Sequence, residues 1–386
     1  MGFIEQCYEN LKKVRRYEIE NIYGSLYPEV ECGIYIDGEI GGRSLQGAKI
    51  GAYELASLPE KIRIYGAGDS FTPGKNIVHS FTNLEKVCEK VNYLAVSGSG
   101  KSATPSKNLR ELTEKYNSNK LILNLITSNP ESPMGEIIQK HEGNILKLSG
   151  RKSKNTSNSQ YIADGLLEDG FELATTELVS TISKGILKDI DPEEFYEFYR
   201  DKIKELHEIE TAINNLKNTP EYREFLECLS DPIKSLFSCG QGVSNDVVKM
   251  NNIRVGHVRP LTLKKLGIEP NSNLVIGANR NFVIGESNTP NMDGNSVLLC
   301  VSQSGTGIIE KYLDDAKKVG AECFLLTKYG EIDGANIFRL EIDNFYTGAC
   351  FFLSSALMDL GRYLVNEGIE INEKVLRDLH INDKIS

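Results

Sequence analysis

The chain carries one ordered series of short motifs twice. Ile62-Arg-Ile-Tyr65 is a strand-like run that ends in Gly66-Ala-Gly68-Asp-Ser70. Ser235-Leu-Phe-Ser238 is another that ends, after Cys239, in Gly240-Gln-Gly242-Val-Ser244. Both close as G-x-G-x-S, and a helix-like stretch follows each. Tyr93-Leu-Ala-Val96 then runs into Ser97-Gly-Ser-Gly100, as Val297-Leu-Leu-Cys-Val301 runs into Ser302-Gln-Ser-Gly305. Third strands follow at Leu121–Ile126 and Glu322–Leu326, and each series finishes on a long apolar helix, from Phe171 and from Thr347. Strands alternating with helices imply parallel sheets with helices on both faces. The strand runs are continuously apolar rather than alternating, as buried parallel strands require. The fold class is therefore α/β, with two doubly wound parallel-sheet domains in tandem.

On this alignment the first domain occupies residues 45–190 and the second 231–386. Residues 1–44 read as a helical extension, with Ser44 as the N-cap of one more helix. Residues 191–230 are charged and helical in period, with Pro192 placed for a first turn, and read as a helical linker. The two loops stand 31 residues apart in the first copy (66 to 97) and 62 in the second (240 to 302), so an insertion is expected at about 254–296.

A strand that runs into S-x-S-G and then a helix presents hydroxyls and free amides at a helix N-terminus, a ready site for an anion. In an open α/β sheet that site lies beyond the carboxyl ends of the strands, where ligands bind. Gly98 and Gly100 would let the backbone approach a phosphate, and Ser97, Ser99 and Ser102 would donate hydroxyls. A plain strand-to-helix turn needs glycine, but it has no reason to repeat its serine spacing. A rival reading overlies the first loop, because Ala95 to Ser102 fits the loose nucleotide-loop pattern [AG]-x4-G-K-[ST]. Against it, the next strand ends in Thr-Ser-Asn rather than a magnesium-binding Asp. The second copy also has Thr306-Gly307 where the first has Lys101-Ser102.

Composition narrows the ligand. The formal charge is −10, from 44 basic against 54 acidic residues, which opposes nucleic-acid binding but not a small anion. No apolar run approaches the ~18 residues of a bilayer span. The N-terminus reads as neither signal nor transit peptide, since it carries acids. None of the eight cysteines is CxxC-spaced or beside a histidine, which implies no metal, no redox cofactor and reduced thiols in a cytoplasmic protein.

The series G-x-G-x-S, S-x-S-G-x-[ST], strand, long apolar helix resembles the sugar isomerase (SIS) domain, a flavodoxin-like fold that binds and isomerises phosphosugars. Two such domains joined by a helical stretch resemble the isomerase half of glucosamine-6-phosphate synthase and related aminosugar-phosphate isomerases and deaminases. The likeness covers roughly residues 45–190 and 230–370. It implies that Ser97, Ser99 and Ser102 grip a phosphate, assisted by Gly66, Gly68, Ser70 and Lys101. In the second copy it implies Ser302, Ser304 and Thr306. Gly307 replaces the last hydroxyl there, which makes the first domain the better phosphate site. The partner implied is a sugar phosphate or aminosugar phosphate, and the assembly implied is a homodimer.

Aldose–ketose isomerisation needs a base to move a proton between C1 and C2. The family's tandem members carry a Glu on the helix after the second G-x-G loop, followed by GELKHG. This sequence departs there, reading VVKMNNIRVGHVRPL with Asn252 at the Glu position. Its single-domain members instead have a Glu in G-T-x-F-E-L at the last helix. Gly170-Phe171-Glu172-Leu173 matches that segment in part and makes Glu172 the candidate base; a first-turn acid favoured by the helix dipole is the plain alternative. The second copy has Ala349-Cys350-Phe351 and no acid. His257, between Arg254 and Arg259, is the other candidate. Three readings follow: an isomerase or deaminase, a sugar-phosphate sensor without turnover, and a nucleotide-dependent enzyme.

Overall fold

The computed structural model describes residues 2–40, 42–59, 61–68, 76–150, 169–270, 276–287, 289–369 and 371. The chain divides into two compact units, one reaching to Leu206 and the other starting at His207. Each is built on a sheet of five strands, and every neighbouring pair is parallel.

In the first unit the strands are β1 (Cys32–Asp37), β2 (Ile62–Gly66), β3 (Lys90–Val96), β4 (Leu121–Thr127) and β5 (Asn144–Lys147), in the order β2-β1-β3-β4-β5. In the second they are β6 (Ser235–Gly240), β7 (Asn281–Val283), β8 (Ser296–Val301), β9 (Glu322–Thr327) and β10 (Asn336–Arg339). Read from β7 their order is β7-β6-β8-β9-β10, the same topology. The doubly wound parallel architecture expected from the sequence is therefore observed in both units.

The pairing corrects the alignment between the halves. β1 has its partners β2 and β3 on either side, as β6 has β7 and β8. Asp37 lies opposite Ala95 and Gly240 opposite Val301, so Gly38 is the position equivalent to Gly240. The counterpart of the Gly240-Gln-Gly242 loop is thus Gly38-Glu39-Ile40, not Gly66-Ala-Gly68, which follows the edge strand β2. The insertion expected at 254–296 disappears with this change. β1 and β3 start 58 residues apart (32 to 90) and β6 and β8 61 apart (235 to 296). Residues 254–296 hold the end of a helix, a 3-10 helix (Arg259–Leu266) and β7, the counterpart of β2.

The N-terminal segment carries two helices, Phe3–Lys12 and Arg16–Leu26, but it also supplies β1, so it is not helical throughout. Every residue of β1 is buried, because CGIYID is flanked by strands and covered on both faces. The segment 191–230 is helical, yet it is not a separate linker. Helix Phe195–Lys202 belongs to the first unit, where Phe195 stacks on Tyr23 at 3.6 Å and Tyr199 donates to the Leu11 carbonyl at 2.7 Å. Helix Pro220–Ser230 belongs to the second, where Phe225 packs on Phe324 and Phe338, and Tyr222 donates to Asp359 at 2.7 Å.

The two cores differ in chemistry. In the second unit Phe237, Cys239, Leu298, Cys300, Leu313 and Leu325 form an apolar cluster. The first sheet is crossed by a buried amide ladder. Asn144 donates to Asn124 at 3.0 Å, Asn124 to Asn92 at 3.1 Å, and Asn92 to the Cys32 sulfur at 3.1 Å. Ser25, from helix Arg16–Leu26, also donates to Asn124 at 2.8 Å. Buried amides are tolerated in such a core because each finds a partner. All eight cysteines are buried and unbridged. Among the described residues no helix is long and apolar enough to cross a membrane.

Candidate functional site

β3 is buried along its length from Val91 and delivers Ser97 to the carboxyl edge of the sheet, where the Ser97 amide donates to the Ile126 carbonyl at 3.1 Å. The Ser97 hydroxyl accepts from the Gly100 amide at 3.1 Å and shares a hydrogen bond with the Ser102 hydroxyl at 2.8 Å. Gly100 turns the chain at φ +64°, and a Cβ there would lie 1.9 Å from Ser132 Oγ, so only glycine fits. The neighbouring strand end holds the loop in place. Thr127 Oγ1 and the Ser128 amide both donate to the Gly98 carbonyl, at 3.4 and 3.1 Å.

The loop after β8 is built the same way. The Ser302 hydroxyl accepts from the Gly305 amide at 3.0 Å, and Gly305 turns at φ +70° against Gly330. Thr327 Oγ1 and the Lys328 amide donate to the Gln303 carbonyl, at 3.1 and 3.2 Å. Both loops thus use their first serine to fold the turn. Ser97 is buried, so the hydroxyls left to face a ligand are those of Ser99 and Ser102, both half-buried. In the second loop Ser304 and Thr306 are exposed and bond each other at 2.9 Å.

Glu172 lies on helix Asp169–Leu187, which starts at the carboxyl edge. A Cβ on Gly150, just past β5, would sit 2.7 Å from the Phe171 amide. One carboxylate oxygen of Glu172 is buried and has no hydrogen-bond partner among the described residues, as has the Asn10 amide nitrogen. The Cys7 thiol donates to the Gly170 carbonyl at 3.8 Å, and burial, seconded by Glu172, pushes that thiol well up. A carboxylate oxygen buried without a donor is unsatisfied.

His257 is placed elsewhere. Helix Val243–Val258 leaves the carboxyl end of β6 and runs back along the sheet, so His257 stands about 20 Å from its start at 1.5 Å per residue. Arg259 follows and is fully buried. Its guanidinium donates to the carbonyls of Leu229 and Asp231, at 3.2 and 3.3 Å, and to the Lys234 carbonyl, all ahead of β6, and to Asn281 Oδ1 at 2.8 Å. The three basic groups are therefore at the amino end, and Arg259 is a structural clamp. Gly66 ends β2 at the carboxyl edge and Gly68 lies in the turn after it, while Ser70 lies outside the described residues. Ala95 and Val96 end β3, and the residues between them and the helix that starts at Ala103 form the loop.

Two carboxylates that sequence reading missed stand beside the first loop. Asp37, fully buried at the end of β1, accepts from the Gly38 amide at 2.8 Å, Tyr93 OH at 2.8 Å and Asn108 at 2.9 Å. Burial raises its pKa, against those three hydrogen bonds. Glu39 accepts from the Thr104 amide at 3.2 Å and the Thr104 hydroxyl at 3.0 Å. The available signal was CGIYID followed by GEIGG, an apolar strand running into a glycine loop.

No protein-family model and no curated protein matches the sequence significantly. Solved structures do. The C-terminal domain of glucosamine-fructose-6-phosphate aminotransferase from Francisella tularensis matches with a TM-score of 0.56 at 11% identity, over 93% of this chain and 92% of that one. Tagatose-6-phosphate ketose/aldose isomerase from Escherichia coli matches with a TM-score of 0.59 at 12% identity, over 95% and 91%. The chain shares the fold of these structures, with two units each built on a five-stranded parallel sheet flanked by helices.

Proposed function

We propose that the protein binds a phosphosugar at its S-x-S-G loops and isomerises it by proton transfer between C1 and C2. The observation that carries this reading is the pair of loops. Each holds a serine hydroxyl on the glycine amide three residues on, a glycine at positive φ and a clamp from the next strand end, at a helix N-terminus on the carboxyl edge. Hydroxyls and amides in that setting suit a phosphate. Both solved structures just described are of proteins named for hexose 6-phosphates, which agrees with the ligand class.

The base in this reading is Glu172, on the same edge as Ser99 and Ser102 and with one oxygen unsatisfied. The substrate's phosphate rests on the first loop, and the Glu172 carboxylate takes the C2 proton of the open-chain aldose and returns it to C1 through an enediol, while the hydroxyl proton of O2 passes to O1. No metal takes part in that step. The two units act as two phosphosugar domains, and the assembly is a homodimer, checked by light scattering. A sensor that binds without turnover is the second reading. It is favoured by Asn252 in place of an acid and by the buried, acid-free segment Ala349-Cys350-Phe351 of the second unit.

A thermal-shift screen of hexose 6-phosphates, sugars and nucleotides tests the ligand class. A ligand at 100-fold excess over its Kd adds ~2.7 kcal/mol. Glu172→Gln then tests the chemistry, since a positioned base is worth ~10²–10⁴-fold in rate. The variant should still bind but lose exchange of solvent deuterium into C1 or C2. Stabilisation by ATP–magnesium alone would overturn the phosphosugar reading. Wild-type protein that binds a phosphosugar without any exchange would establish the sensor.

A further inference from the structure

The two loops share a backbone design but not a charge. Asp37 and Glu39 flank Gly38, whereas Cys239 and Gln241 flank the equivalent Gly240. At these equivalent positions the first loop has carboxylates and the second has a thiol and an amide. Glu39 does more than stand nearby. In helix Ala103–Lys115 the N-cap Ser102 makes no capping bond, because its hydroxyl is turned to Ser97 and the residue at the third helical position, Pro105, has no N–H to offer. The carboxylate of Glu39 supplies the missing cap, bonding the Thr104 amide and hydroxyl. It takes up the positive end of that helix, the feature a phosphate would use.

Among the described residues no side chain caps the helix after the second loop. Helix Ile308–Lys318 starts at Gly307 with no side-chain cap, and its first-turn acid, Glu310, is exposed. The strand end that clamps this loop brings a cation. The Lys328 amide bonds the Gln303 carbonyl, where the first loop is held by Ser128. The Lys328 side chain is largely buried, with its ammonium over the Tyr329 ring at 5.2 Å and 3.5 Å from the exposed Asp343.

We propose that Glu39 is a built-in competitor for phosphate at the first loop, so that the loop after β8 fills first and the loop after β3 fills only at higher ligand concentration. This rests on the phosphosugar reading of both loops. It reverses the ranking that hydroxyl counting suggests, because a carboxylate already seated on the helix N-terminus outweighs one additional serine. A ligand entering the first loop has to displace Glu39 or accept its charge alongside.

Calorimetric titration of the full chain with fructose 6-phosphate, tagatose 6-phosphate, glucosamine 6-phosphate and inorganic phosphate reads both loops at once. Wild type should show two binding events at least tenfold apart in Kd. The tighter should be lost in the Ser304→Ala, Thr306→Ala double variant. Glu39→Gln keeps an oxygen to cap Thr104 but removes the charge, and it should tighten the weaker event at least tenfold while leaving the tighter one in place. Glu39→Ala, which loses the cap as well, should do the same, with circular dichroism confirming the fold. If Glu39→Gln changes neither event, or weakens binding, Glu39 is only a cap and the proposal falls while the phosphosugar reading stands. If neither wild type nor Glu39→Gln binds any of the four probes, the phosphosugar reading itself fails and takes the proposal with it.

Discussion

Glu177 is a carboxyl group on the inward face of helix Asp169–Leu187, only 1% exposed. Burial pushes its pKa from an ordinary 4.5 up to about 7, against the pull of Lys184 and Lys202 and the hydrogen bond donated by Thr181 at 3.3 Å, and with a further push from Glu205. The two lysines are themselves committed to Glu205, Lys184 at 3.6 Å, so they compensate Glu177 only in part. Glu54, which the same groups surround, is raised too. Because the folded-state pKa lies above the unfolded one, the folded protein holds this proton more tightly. The stability that goes with it is complete below about 4.5 and is lost as pH rises to about 7. Between 4.5 and 7, at ~1.4 kcal/mol per pH unit, the loss is about 3 kcal/mol. Glu177→Gln keeps the shape and stays neutral at every pH. It should match wild type at pH 4.5 and exceed it by about 3 kcal/mol at pH 8, or ~6–12 °C in Tm for a unit of this size. Melts of both proteins followed by circular dichroism across that range measure the difference, and other titrating groups cancel between them. A Tm difference that does not change with pH, or a variant less stable at pH 8, would show that Glu177 is ionised and compensated in the fold.

Other perturbations probe the frame around the site. Asn124→Leu strips the amide ladder of its centre and takes from the Asn92 carbonyl oxygen its donor and from the Asn144 amide its acceptor, so denaturant melts should show a loss of ~2–4 kcal/mol; an unchanged midpoint would mean the ladder is replaceable. Gly100→Ala forces a Cβ to 1.9 Å from Ser132 Oγ at φ +64°, and the loop should respond with at least ~2 kcal/mol of destabilisation and weaker phosphosugar binding by the first unit. Arg259→Leu removes the donor for one buried and two partly buried carbonyls and should cost about 3 kcal/mol or more in a urea melt. His257→Ala, in protein shown to be folded, should leave deuterium exchange into substrate intact, since the side chain is at the amino end; abolished exchange would overturn that placement.

The strands, the loops that close them and the parallel architecture were legible in the sequence because they are local or nearly so. A buried parallel strand must be continuously apolar, as in YLAV and VLLCV, and a turn that hydrogen-bonds its own glycine amide needs Ser and Gly three residues apart, as in Ser97–Gly100 and Ser302–Gly305. Glu172 was legible as a candidate, and the structure places it on the loop edge. Its role waits on the exchange experiment. The position of His257 was not legible, because a motif written along the chain carries no sense of helix direction.

What only the tertiary structure decided is pairing at long range. Sequence order puts Gly66 and Gly240 in the same place in their series, but the register pairs Asp37 with Ala95, so that Gly38, the next residue, takes the place that Gly240 holds opposite Val301, because β1 inserts between two strands that follow it in the chain. That insertion turns an apparent extension into the centre of a sheet, abolishes an apparent insertion and brings Glu39 onto Thr104, 65 residues away. Side-chain periodicity fixes which residues are buried within an element. Which elements lie side by side is set by the packing of the whole sheet, and the charge balance of the two loops follows from that packing alone.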